Sequence, residues 1–173
     1  MFNDALPFKR FEHQTWKEFL MAIVDAKFAE IKDLLYGEGN EVPLDDEELM
    51  SVLMTYPACL VAAADGVVDE TERLFLLNVS EELGDGDVSE SPEQRLRSAE
   101  RYRAFMWLLN EKGKTDQIIL DGLAGFLEIN PEATDQIKAM LWGMAEASDG
   151  ISEQEKLEIS RIYLALNISE TIN

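Results

Sequence analysis

One cysteine and one histidine are all that this 173-residue chain has of the side chains most used as soft metal ligands, nucleophiles and bases. A lone Cys59 excludes an intramolecular disulfide framework. Its neighbours Ala58, Leu60 and Val61 mark it as a small buried hydrophobe rather than a reactive thiol. A lone His13 excludes a Ser-His-Asp triad and a zinc set of histidines and cysteines; it reads as a polar residue near a helix start. No glycine-rich phosphate loop is present either. Basic residues are scarce, 15 against 35 acidic ones, for a net charge of −20 at neutral pH. Such a surface repels phosphate backbones, which excludes nucleic acid as an expected partner, and attracts cations or a protein with a basic surface. Long apolar runs are missing: the longest, Ala58 to Ala64, is far too short to cross a bilayer. Met1 to His13 holds no apolar core of a secretory signal. The chain therefore reads as a cytoplasmic protein with no transmembrane segment, no organic cofactor and no catalytic group, so not an enzyme.

What is abundant is helical periodicity. A hydrophobic content of 46% supports a folded core despite the charge, and no stretch shows the sustained alternation of a half-buried strand. Thr15-Trp16-Lys17-Glu18 has capping-box spacing and opens a helix to about Leu35. Asp45-Asp46-Glu47-Glu48 caps the next, in which Pro57 predicts a kink or a restart near Thr55. A third helix ends at Gly84, before an acidic loop to Ser91. Ser91-Pro92-Glu93-Gln94 starts a helix stopping at Gly113, and another runs from about Asp116 to Leu127. Asn130-Pro131-Glu132 starts one running to Ala147, and the last ends at about Leu166. Trp16, Trp107 and Trp142 fall on apolar faces and read as core. The expected fold is all-α: a compact bundle of seven helices, eight if Pro57 divides one, in a single domain spanning 1–173. An N-terminal helical extension, 1–44, precedes a core of about 45–167.

That core contains an internal repeat. Ala62-Ala63-Ala64-Asp65-Gly66 is echoed by Glu146-Ala147-Ser148-Asp149-Gly150, each after an apolar run and before an acidic helix start. The copies align when the second is one residue shorter, pairing Val68 with Ile151, Asp69 with Ser152 and Glu72 with Glu155. This is the pattern of two related helix–turn–helix halves. Gly66 and Gly150 suit a left-handed position at a helix end. Asp69 and Ser152 are N-caps with Glu72 and Glu155 at capping-box spacing. Asp65 and Asp149 are the residues for which caps and turns give least reason. Asp65, Gly66, Val68, Asp69 and Glu72 match the back half of a calcium-binding EF-hand loop, but Val61 and Ala63 fill its first and third ligand positions. The second copy fails likewise, with Ala145, Ala147 and Lys156 at ligand positions, so neither is a complete EF-hand. Asp85-Gly86-Asp87-Val88-Ser89-Glu90 lacks the central glycine and reads as a solvated loop.

Two such Asp-Gly turns, each followed by an acidic capped helix and spaced half a domain apart, resemble the tellurite-resistance TerB-like domain over roughly Leu49 to Leu166. The second turn departs from the pattern by its missing residue and by Ser148 before Asp149, where a small apolar residue is usual. The resemblance implies an all-helical bacterial protein linked to tellurite resistance and stress response. It also implies a metal-binding site at Asp65, Glu72, Asp149 and Glu155. Oxygen ligands of this kind favour calcium or magnesium, while manganese and zinc are also accepted by carboxylates. The alternative function is a protein–protein interaction module whose acidic turns serve only as helix caps.

Overall fold

The computed structural model describes residues 44–83, 92–111, 115–147 and 150–169, together with the single positions 33 and 113. Among these residues the fold is all-helical, with six helices and no strand. They are α1 (Asp46–Ala62), α2 (Glu70–Leu83), α3 (Pro92–Asn110), α4 (Asp116–Ile129), α5 (Ala133–Ala145) and α6 (Glu153–Ala165). The expected helix over 15–35, with its neighbour His13 and with Trp16, lies outside the described residues except for Asp33, which is helical; the acidic loop 84–91 also lies outside them.

Helix α1 begins as its sequence predicts. The Asp45 carboxylate accepts the Glu48 backbone N–H at 2.9 Å, and the Glu48 carboxylate accepts the Asp45 N–H at 3.2 Å. Together they satisfy two of the donors that a helix start leaves unpaired. The expected restart near Thr55 does not occur: α1 is one helix through Pro57. Proline removes one backbone donor, but tertiary packing outweighs that local loss because α1 is the centre of the molecule. It contacts each of the other five helices. Leu49, Val52, Leu53, Tyr56, Ala58, Cys59, Leu60 and Val61 are accordingly fully buried. A helix covered on every side should be apolar on every side, and beyond its acidic first turn α1 is so apart from Ser51 and Thr55, whose hydroxyls donate to carbonyls of the same helix. Burial also pushes the Cys59 thiol pKa well up, as expected of a core cysteine.

One polar tie crosses this core. The Tyr56 hydroxyl donates to Asp116 Oδ1 at 2.5 Å and also lies 3.5 Å from the Leu108 carbonyl. It links α1 to the start of α4 and the end of α3. Burial first, then the bond to Asp116, drives the phenol pKa far above its ordinary value. Arg161 of α6 approaches the other Asp116 oxygen at 3.8 Å.

Two expectations are corrected on the outer helices. Asn130 does not open α5: its side-chain amide donates back to the Phe126 carbonyl at 3.2 Å, finishing α4, and α5 starts at Ala133. An amide can serve the end of one helix as readily as the start of the next. Trp142 is not core; it is 39% exposed, and its indole N–H donates to the Tyr163 hydroxyl at 2.9 Å. Trp107 is partly buried and packs on the core. No helix among the described residues is long and apolar enough to cross a membrane.

Candidate functional site at the acidic turns

The two turns share their local build. Helix α1 ends at Ala62 and α5 at Ala145, each closed by the backbone N–H of the next residue, Ala63 or Glu146. The glycines come later and redirect the chain rather than cap the helix. Gly66 has φ +94° and Gly150 φ +121°, values at which a Cβ is strained. The space around both is open, so the demand for glycine is one of backbone conformation and not of room.

Each turn then enters its helix through a reciprocal cap. Asp69 Oδ1 accepts the N–H groups of Thr71 at 2.7 Å and Glu72 at 2.8 Å, while Glu72 Oε2 accepts the Asp69 N–H at 2.7 Å. In the second turn Ser152 Oγ accepts the Glu155 N–H at 3.1 Å, and Glu155 Oε2 accepts the Ser152 N–H at 2.6 Å. The pairing of Asp69 with Ser152 and Glu72 with Glu155 thus has a geometric counterpart. Asp65 turns out to have a structural role too: its Oδ1 accepts the Val67 N–H at 2.9 Å, the side-chain-closed turn that aspartate favours. It is exposed. Asp149 lies outside the described residues.

The glutamates are the unexpected part. Reading caps from sequence places them at a helix surface, yet Glu72 is only 5% exposed and Glu155 4%. Burial raises the Glu72 pKa; the Asp69 N–H opposes that rise, and the charges of Asp69, Asp65 and Glu155 add to it. The two turns are therefore close enough for their carboxylates to repel. Asp69, read from sequence as a cap and as part of an incomplete EF-hand match but not as a site residue, adds its charge to the group around Glu72; its acidity, where the second copy has serine, was the available signal. Glu155 Oε1 is buried with no hydrogen-bond partner among the described residues. Among the described residues, no group of three or more His, Cys, Asp or Glu is disposed to hold a metal ion. The turns bring the charges of Asp65, Asp69 and Glu155 to bear on Glu72, without a closed ligand cage among the described residues.

A pH dependence follows from the raised Glu72 pKa. The folded state holds this proton more tightly than the unfolded state, so stability falls as pH rises through the shifted value. The contribution is fully present below the ordinary value of 4.5 and lost above the raised one. Glu72→Gln keeps an oxygen for the Asp69 N–H but removes the charge. In metal-free protein it should unfold later than the parent at neutral pH, with the difference closing as pH approaches 4.5. Denaturant titrations across that range measure it; a Gln variant less stable at pH 7 would contradict the repulsion.

Comparison of this chain with protein-family models, curated proteins and solved structures found no match.

Proposed function

We propose that this chain is a non-enzymatic, cation-binding helical domain, in which a hard divalent ion is held where the two Asp-Gly turns approach each other. The observation that carries this reading is Glu155 Oε1, a buried carboxylate oxygen without a donor among the described residues. Such an oxygen is costly to leave unsatisfied, and an ion or its bound water relieves it. The ion would also offset the repulsion that Asp65, Asp69 and Glu155 impose on Glu72. Asp65 commits one oxygen to the Val67 N–H and has the other for ligation. With Glu72 and Glu155 each using one oxygen as a cap, the protein supplies few ligands, and Asp149 is the fourth candidate. Much of the coordination shell would then be water, so affinity is modest and calcium or magnesium is favoured over manganese or zinc. The TerB-like resemblance supports the same assignment: two helix–turn–helix halves of an internal repeat, each giving one acidic turn, in a bacterial tellurite or stress response.

Calorimetric titration of metal-free protein with calcium, magnesium, manganese and zinc tests it. At a hundredfold excess over Kd, a bound ion should add about 2.7 kcal/mol of stability. Replacing Asp65 and Asp149 together by asparagine should abolish the ion-dependent rise in Tm and leave the metal-free Tm no lower than the parent's, since the Asp65 charge that repels Glu72 is gone. A double variant that responds to ions as the parent does would sink the site.

The completed capping boxes favour a second reading, a module that binds a basic protein surface, in which both glutamates are structural only. Absence of heat with all four ions would select it.

A further inference from the structure

Four aspartates in this chain are followed by glycine, and in two of these pairs, Asp65-Gly66 and Asp121-Gly122, both residues are described. The dipeptide has a covalent chemistry of its own. The glycine nitrogen can attack the aspartate Cγ, because glycine has no Cβ to crowd the approach and adapts its backbone freely. Both aspartates are exposed, so contact with solvent does not separate them. Their backbones do.

Asp121 lies inside α4, and the buried Gly122 follows it in the same helix. There the Gly122 N–H is spent on the helical ladder, and closing a ring would pull residue 121 out of helical dihedrals and break bonds on both sides. Helical side chains also lean toward the helix start. The Asp121 carboxylate accordingly accepts from Gln117 Nε2 at 2.6 Å, one turn back and away from the Gly122 nitrogen.

Asp65 lies outside any helix, in the turn between α1 and α2. The Gly66 N–H donates to the Ala63 carbonyl at 3.2 Å, the long end of the range for such bonds. A Cβ built on Gly66 would meet nothing within 4 Å, so a ring at this position has room. The Asp65 carboxyl is folded forward along the chain, its Oδ1 accepting the Val67 N–H at 2.9 Å. That donor faces the oxygen on which negative charge gathers when Cγ is attacked, the role of an oxyanion-hole donor.

We propose that Asp65 is a site of spontaneous isomerisation to isoaspartate in the folded protein, and that Asp121, with the same neighbour, is not. The Gly66 nitrogen bonds to Cγ and loses its proton; Oδ2, with that proton and one from solvent, leaves as water, closing a succinimide ring. Water then adds to the Asp65 main-chain carbonyl carbon, whose bond to the Gly66 nitrogen breaks; one proton returns to that nitrogen and one to solvent. One water leaves and one enters, and no oxidant or cofactor is needed. The product keeps its mass and its carboxylate, but its main chain runs through Cγ and is one carbon longer. The oxygen that closed the turn onto Val67 becomes a main-chain oxygen, so the acidic turn is rebuilt.

The test is to age the folded full chain in chelator at neutral pH, digest it, and map each Asp-Gly position by electron-transfer fragmentation, which distinguishes isoaspartate from aspartate. Synthetic peptides covering 62–70 and 118–126 give the unrestrained rates. Conversion at Asp65 should run within about tenfold of its peptide and at least about tenfold faster than at Asp121 in the same sample. An Asp65 slowed by more than that against its peptide would overturn the proposal. So would an Asp65 that outpaces Asp121 by less. The chelator keeps either result independent of the cation proposed above.

Discussion

Replacing Leu60 by alanine should lower the unfolding free energy by about 2–5 kcal/mol, the range for truncating a leucine in a closed core. Leu60 is fully buried in α1, the one helix that contacts all five others. Truncation removes the transfer energy of the lost methyl groups and adds a cavity that fixed neighbours cannot collapse into. Against a total of about 5–15 kcal/mol, such a loss is a large fraction of the stability. Leu74, 49% exposed on α2, supplies the control: its alanine variant should stay within about 0.5 kcal/mol of the parent. Urea denaturation with unchanged slope would measure both. A Leu60→Ala cost under about 1 kcal/mol would mean that α1 is not tightly enclosed.

Tyr56→Phe should cost about 1.5–3 kcal/mol, the range for a buried hydrogen bond to a charged group. The substitution removes only the hydroxyl that donates to Asp116 at 2.5 Å. The volume of the core is kept, but a carboxylate 13% exposed loses its donor and, among the described residues, keeps Arg161 at 3.8 Å. In an Asp116→Ala background the same substitution should cost much less, because the shared interaction is already gone. Equal losses in both backgrounds would place the value of Tyr56 in packing rather than in the bond.

The helices were legible where local signals and tertiary demand agree. Asp45-x-x-Glu48, Asp69-x-x-Glu72 and Ser152-x-x-Glu155 each form the reciprocal cap that their spacing predicts. Legibility failed where packing overrode a local rule. Pro57 is a helix breaker by chemistry, but with α1 buried on all sides the cost of one missing hydrogen bond is outweighed. Trp142 shows the reverse failure, because apolar character was read as burial although folded surfaces are largely apolar. At the acidic turns the sequence located Glu72 and Glu155 as caps but not their burial, which depends on how distant helices meet. The resemblance implied Asp65, Glu72, Asp149 and Glu155 together, but nothing in the sequence singled out Glu155 as the one whose buried oxygen is unsatisfied among the described residues.

The position of α1 along the chain has a consequence during synthesis. It spans Asp46–Ala62, and every other described helix that covers it lies later in the sequence, the last ending at Ala165. At about 5–20 residues per second, a ribosome needs on the order of 5–20 s to make the residues that complete its shelter. For that interval a helix with a fully buried apolar run has left the tunnel, or is leaving it, without the described helices that cover it. The nascent chain therefore presents to chaperones the very segment that the finished protein hides most completely.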